Sequence, residues 1–182
     1  MNSLSIIQRQ HQHRGWVTEN LLAATGSLSE EQLRRSLAIG QGSIWKSLTH
    51  MYAAEYVWLE ALEGNETGLT PGDLPGRLPG NQEGESALQS LEELRAAWTT
   101  LAERWNAYLA TLTEEALDEA VYRVAGSTGQ RLSTSRCDVL LHVAMHAHYT
   151  AAQVVNMLRQ VGAEKFPDTM MIVMARQEGA AK

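Results

Sequence analysis

Apolar residues recur every three or four positions along four long stretches of this 182-residue chain. That spacing places them on one face of an α-helix. Three of the stretches run over about 4–24, 43–63 and 86–112. The fourth begins near Ser133 to Ser135 and ends at Gly162. A chain with four long amphipathic helices can bury their apolar faces most simply against one another.

The interruptions between these stretches are equally informative. Residues 64–86 hold three of the four prolines and several glycines, so they predict a long loop without regular structure. A loop of this length is typical of a lid or a binding segment, and the linker alternative is weaker because neither half makes a conventional core. Residues 120–133 alternate in polarity around a glycine-containing turn, which predicts a short hairpin or an extended loop. Ser29 and Gln32 have the form of a capping box, which predicts a short helix ending near Leu37.

These elements together predict an all-α protein: a four-helix bundle over residues 1–182, with the long loop between the second and third long helices. We expect a single domain, which suits this length. The tail after Phe166 is apolar in its middle and predicts one more short helix or strand. The sequence has neither a strand-turn-helix phosphate loop nor a GxSxG or GxGxxG element, which argues against a parallel α/β enzyme.

Charge and targeting signals narrow the function classes. The chain has 21 acidic and 15 basic residues, for a net charge of −6, and this balance argues against nucleic-acid binding, which needs Lys and Arg opposite phosphate. The N-terminus lacks a basic segment followed by a long apolar one, so we expect no secretory signal. No run approaches 18 apolar residues, so we expect no membrane span and a cytoplasmic protein.

Histidine and cysteine counts restrict any metal site to imidazole ligands, with carboxylates as an addition. One cysteine, Cys137, stands against six histidines, which excludes an internal disulfide framework and a multi-cysteine zinc finger. We expect Cys137 to be a small apolar residue near a helix start.

The fourth long helix carries the most informative histidines. His142 and His146 are four residues apart and so share one helical face. The same stripe continues through Tyr149 and Thr150 to Gln153. Residues 139–158 hold almost no charge, so most of this helix must be buried, and buried imidazoles need partners. The pattern fits either hydrogen-bonded core histidines or metal ligands.

A further histidine, His50, lies on the second long helix, and Glu55 lies on the apolar stripe of that helix. A glutamate there could orient a histidine or supply a ligand. Three neutral imidazoles bind zinc or nickel and leave a position for water. We expect His148 to point away from His146, His13 to lie on the surface, and His11 to be free to face the core.

These residues resemble the DinB family of DinB/YfiT-like four-helix proteins. The resemblance covers most of the chain and rests on His50 with the following Glu55, on His142 and His146 followed by Gln153, and on the closing segment around Phe166. It implies an up-down-down-up bundle, frequent homodimers and a divalent metal held by three histidines. Some relatives are transferases or isomerases that use low-molecular-weight thiols.

One position departs from the family pattern. The family's fourth helix has three histidines four residues apart, and its ligands are typically the second and third. Here the second corresponds to His146 and the third to Thr150, in the register set by Gln153. Either His142 supplies the third nitrogen of a shifted site, or the protein keeps the fold without the metal.

Two functional hypotheses follow. In the first, His50, His146 and His142 hold zinc or nickel, and the protein is a metal-dependent transferase or hydrolase for a small, perhaps thiol-containing, substrate. The side chains that would orient ligands or water in this site are Glu55, Tyr149, Thr150 and Gln153. In the second, the protein is a metal-free, non-catalytic bundle that acts through homodimerisation or partner binding.

Overall fold

The computed structural model describes residues 2–126 and 128–180, and in them it shows an all-α bundle with one small hairpin. The elements are α1 (Ser3–Thr25), α2 (Glu30–Arg34), α3 (Ile44–Leu62), α4 (Leu91–Thr111), a 3-10 turn (Glu115–Asp118), β1 (Ala120–Val124), β2 (Arg131–Ser135), α5 (Arg136–Gln160) and α6 (Met171–Ala180). The predicted fold class is confirmed. Ser127, in the predicted turn, and Ala181 and Lys182, in the predicted tail, lie outside the described residues.

Short polar side chains set the starts of the helices. Ser43 caps α3 by accepting a hydrogen bond from the backbone N–H of Lys46. Ser29 and Gln32 form the predicted capping box at α2, which satisfies two backbone donors at once. The third long helix begins at Leu91 and not at Ser86, because Ser90 is its cap. The preceding residues are drawn into the long loop, where the N–H of Leu88 donates to the side chain of Gln82.

The bundle is arranged around α5. That helix packs against α1 and α3, and α4 lies against the same two helices. Trp98 and Trp105 of α4 are buried in the core. Large apolar side chains such as these supply most of the driving force for packing the helices. None of the helices in residues 2–126 and 128–180 combines the length and the hydropathy needed to cross a membrane.

The hairpin and the tail close two sides of the bundle. Strands β1 and β2 pair antiparallel, with Tyr122 opposite Ser133, and β1 is fastened to α3 because the Arg123 side chain donates to the carbonyl of Val57. The tail crosses α1, where the ring of His13 contacts the carbonyl of Thr169 through Nε2 at 2.9 Å. His13 is therefore buried, and its predicted surface position was wrong. The tail covers this part of α1, and the spacing within α1 does not reveal that.

Candidate metal centre

Two histidines from different helices meet in the bundle. His50 of α3 and His146 of α5 place their Nε2 atoms 3.2 Å apart, and the two rings meet edge to face with centroids 5.1 Å apart. The residues are 96 positions apart in the sequence. Packing of α3 against α5 is what brings them together, and it does so with the same ring nitrogen of each facing the other.

The long loop after α3 fixes the orientation of His50. The Nδ1 atom of His50 lies 2.8 Å from the carbonyl oxygen of Pro79. A carbonyl can only accept, so Nδ1 carries the proton and donates it. The Nε2 atom of a neutral His50 is then left with its lone pair, directed at His146. A backbone carbonyl that orients an imidazole in this way is the usual partner of a metal-ligating histidine.

Several contacts hold Pro79 in place. The buried carboxylate of Asp73 accepts hydrogen bonds from the backbone N–H groups of Gly80 at 2.6 Å and Gln82 at 2.9 Å. The hydroxyl of Thr49 donates to the carbonyl of Gly80 at 2.9 Å. Gly80 has φ +85°, and a Cβ there would overlap the backbone of His50 and Thr49. Only glycine allows the loop to approach α3 this closely.

His146 is neutral at physiological pH. Burial, with smaller contributions from positive charge on His50 and His142, lowers its pKa to about 4. Two neutral imidazoles with facing Nε2 atoms allow two states. Either His146 donates an Nε2–H to the lone pair of His50, or both lone pairs point at one cation. Two nitrogens at about 2.0–2.1 Å from a tetrahedral ion lie about 3.3–3.4 Å apart, close to the observed separation.

His142 does not join this pair. It is exposed on α5, where its ring meets the edge of Trp58 at 5.4 Å and lies 5.8 Å from the ring of His146. Within the described residues there is no group of three or more His, Cys, Asp or Glu side chains that could hold a metal ion. The histidine pair therefore fits a divalent ion in nitrogen type, separation and protonation, but it supplies only two protein ligands.

Glu55 does not lie beside the histidine pair, where it was predicted from the sequence. It is fully buried and pairs with the guanidinium of Arg14 from α1, and the indole Nε1–H of Trp98 donates to it at 3.2 Å. Its carboxylate therefore balances a buried arginine and does not orient a histidine. The sequence showed that Glu55 shares an apolar stripe, but it did not show which cation lies opposite.

The other predicted neighbours are divided between two faces of α5. Thr150, one turn after His146, is buried, whereas Tyr149 is 67% exposed and points outward. One residue advances a helix by about 100°, so adjacent residues cannot share the face of His146. The side-chain oxygen of Gln153 lies against Gly40, where an added Cβ would be 2.6 Å from it.

Sequence reasoning missed Pro79, Asp73 and Arg14. Pro79 acts through its backbone carbonyl, which no side-chain pattern reveals. Asp73 could have been suspected, since a carboxylate inside a Pro- and Gly-rich loop often binds backbone N–H groups. Arg14 follows the same three-four spacing as Ile7 and Val17 on α1, so its burial could have been suspected, but this spacing does not reveal its partner Glu55.

Comparison with known protein families gives a match over most of the chain. A family model described as the DinB superfamily matches residues 15–170. That range contains His50, His142, His146 and Thr150, and it extends from the middle of α1 to the residue before α6. No functionally curated protein matches the chain significantly.

Proposed function

Because this chain belongs to the DinB superfamily, and because the Nε2 atoms of His50 and His146 lie 3.2 Å apart, we propose that the two histidines hold a divalent metal ion, zinc or nickel. The observation that carries this proposal is the hydrogen bond between His50 Nδ1 and the Pro79 carbonyl. It leaves the Nε2 lone pair free, as a ligand requires. His142, the predicted third donor, lies with its ring 5.8 Å from that of His146 and would complete the site only by turning toward the pair.

The proposed reaction is a metal-dependent transfer or hydrolysis on a small substrate, of which a thiol is the first class to test. A bound divalent ion lowers the pKa of a water or thiol at its open positions and polarises an oxygen of the substrate. The residues of the chain hold the histidines in place: Pro79 keeps His50 in one tautomer, and Asp73 keeps the loop closed on α3. With two protein ligands, more positions stay open for substrate than in a three-histidine site.

Metal content tests this proposal. Protein without a histidine tag, supplemented with zinc or nickel and then dialysed, should retain about one equivalent. His146→Ala should lose the metal, and His148→Ala is the matched control because His148 is exposed on the same helix and its ring neighbours His13 instead. His142→Ala tests the predicted third donor. Retention below about 0.1 equivalent by the wild-type protein, for a site that needs metal to act, would overturn the proposal.

A second candidate function, assembly without catalysis, is favoured by a separate observation. Large apolar side chains are exposed on α5 and the tail, among them Met145 at 68% and Met170 at 58%, and together with Tyr149 they border one groove. Exposed apolar patches of this kind often mark interfaces. We propose that this face is the homodimer contact. Met145→Lys should then shift the protein from dimer to monomer in light scattering, and a wild-type monomer at all concentrations would exclude it.

A further inference from the structure

Arg123 of β1 is half-buried and has no acidic partner among the described residues. Its guanidinium donates to the carbonyl of Val57 at 2.9 Å and lies over the ring of Trp58 at 5.3 Å. No Asp or Glu in the described part of the chain forms an ion pair with it. Burial lowers its pKa, and no carboxylate offsets this effect. A guanidinium has five N–H donors, so most of its hydrogen-bonding capacity is unused.

Arg123 lies at the wall of a cavity of about 460 Å³ beneath the long loop. That volume is within the range of small-molecule sites. Its apolar walls come from the side chains of Val57, Leu69, Leu78 and Val124. Asp73 also borders the cavity, but its two oxygens already bind the backbone of Gly80 and Gln82. The cavity is therefore mainly apolar, and Arg123 is the cation at its wall that has no acidic partner, since Arg77 faces Glu83 at 3.8 Å.

This cavity is connected to the histidine pair through two residues. Pro79 borders the cavity and also accepts the hydrogen bond of His50. Trp58 lies between Arg123 on one side and the ring of His142 on the other, and His142 in turn lies 5.8 Å from His146. A molecule in the cavity would thus be anchored on the same loop and helix that position the candidate metal ligands.

We infer that Arg123 binds the carboxylate of a small substrate whose body is apolar. A carboxylate matches the planar fork of a guanidinium and carries a single charge, which one unpaired cation can balance. A phosphate dianion carries two charges and would lie near the carboxylate of Asp73. The other cation at the cavity wall, Arg77, is exposed and already faces Glu83 at 3.8 Å. As a statement about the substrate, this inference rests on the proposed function, but binding to the cavity can be measured without metal.

Calorimetric titration tests the inference with two matched probe pairs: benzoate against benzamide, and hexanoate against hexanamide. The titrations use the full chain in the presence of a chelator, so that no metal can capture the carboxylate. Each acid should bind at least about tenfold more tightly than its amide, the ratio expected for hydrogen bonds to a charged group. Equal affinities for acid and amide in the wild-type protein would overturn the inference.

Three variants locate the carboxylate. Arg123→Gln should remove the preference for the acid, and Arg123→Lys should keep part of it, since charge remains but the fork is lost. Arg131→Gln is the matched control, because Arg131 is on the same hairpin but is exposed and paired with Glu66. An unchanged preference in Arg123→Gln would refute the assignment. If that variant does not fold, NMR of the Arg123 side-chain nitrogens in the wild-type protein tests the assignment instead. A shift of these resonances on adding benzoate would support the site, and no shift would overturn it.

The histidine variants separate this inference from the proposed function. His146→Ala should bind benzoate with the wild-type affinity, whether or not the protein proves to bind zinc. Loss of benzoate binding in His146→Ala would mean that the histidine pair, and not Arg123, holds the anion.

Discussion

Replacing Glu55 by glutamine should destabilise the protein strongly while leaving its metal affinity unchanged. The substitution preserves size and one oxygen acceptor, but it leaves the guanidinium of Arg14 buried without a counter-charge. Glu55 is 2% exposed and Arg14 is 7% exposed, so most of the hydration that would screen the unpaired charge is excluded. Removing one member of a buried ion pair costs about 3–5 kcal/mol. For a domain of this size that corresponds to a fall in Tm of roughly 6–20 °C.

Urea unfolding followed by circular dichroism measures this loss, and zinc titration of the folded variant measures the affinity. A double variant, Arg14→Met with Glu55→Leu, removes both charges and should recover most of the stability, since an apolar pair of similar volume often replaces a buried ion pair without cost. A loss below about 1 kcal/mol for Glu55→Gln, the range of an exposed pair, would refute the burial argument. A large loss of zinc affinity would show that Glu55 acts at the histidine pair.

Three further predictions follow from the described contacts. Burial, with a smaller contribution from the charge of Arg14, lowers the pKa of His11 to about 3. The unfolded chain therefore binds more protons below pH 6.5. This residue alone should reduce the free energy of unfolding by about 2 kcal/mol when the pH falls from 7 to 5. His11→Gln should remove that part of the pH dependence, and an unaltered pH dependence of urea unfolding in the variant would contradict the prediction. Gly80→Ala should cost about 1–3 kcal/mol and weaken zinc binding, because the loop must move off His50; wild-type stability would show that the loop is not held as described. Thr150→His should tighten zinc binding by about tenfold or more if the site retains the family geometry, and an unchanged affinity would show that it does not.

The fold could be predicted largely from the sequence because helical periodicity and capping residues are local signals. The prediction of α3 from Ser43 is correct to one residue because its cap is a serine directly before the apolar stripe. The start of α4 was placed five residues too early, since Leu88 continues the apolar spacing but lies in the loop. Periodicity reports which face would be buried, and it does not report where backbone hydrogen bonding begins.

The candidate site could be predicted only in part. The sequence singled out His50 and His146 because each lies on a long helix that must be largely buried. It could not separate His142 from His146, since both occupy one stripe and only the position of Trp58 from another helix distinguishes them. The roles of Pro79 and Arg14 depend on contacts between distant segments, and the partner of Glu55 is decided by the packing of α1 against the rest of the bundle.

Nitrogen NMR of the histidine side chains, recorded before and after one equivalent of zinc is added, tests the central claim most directly. Without metal, the Nδ1 of His50 should be protonated, as the Pro79 contact requires. With zinc, the Nε2 resonances of His50 and His146 should shift together, because both nitrogens bind the same ion. A shift of only one of them, or of neither, would contradict the proposal that the pair is a metal site.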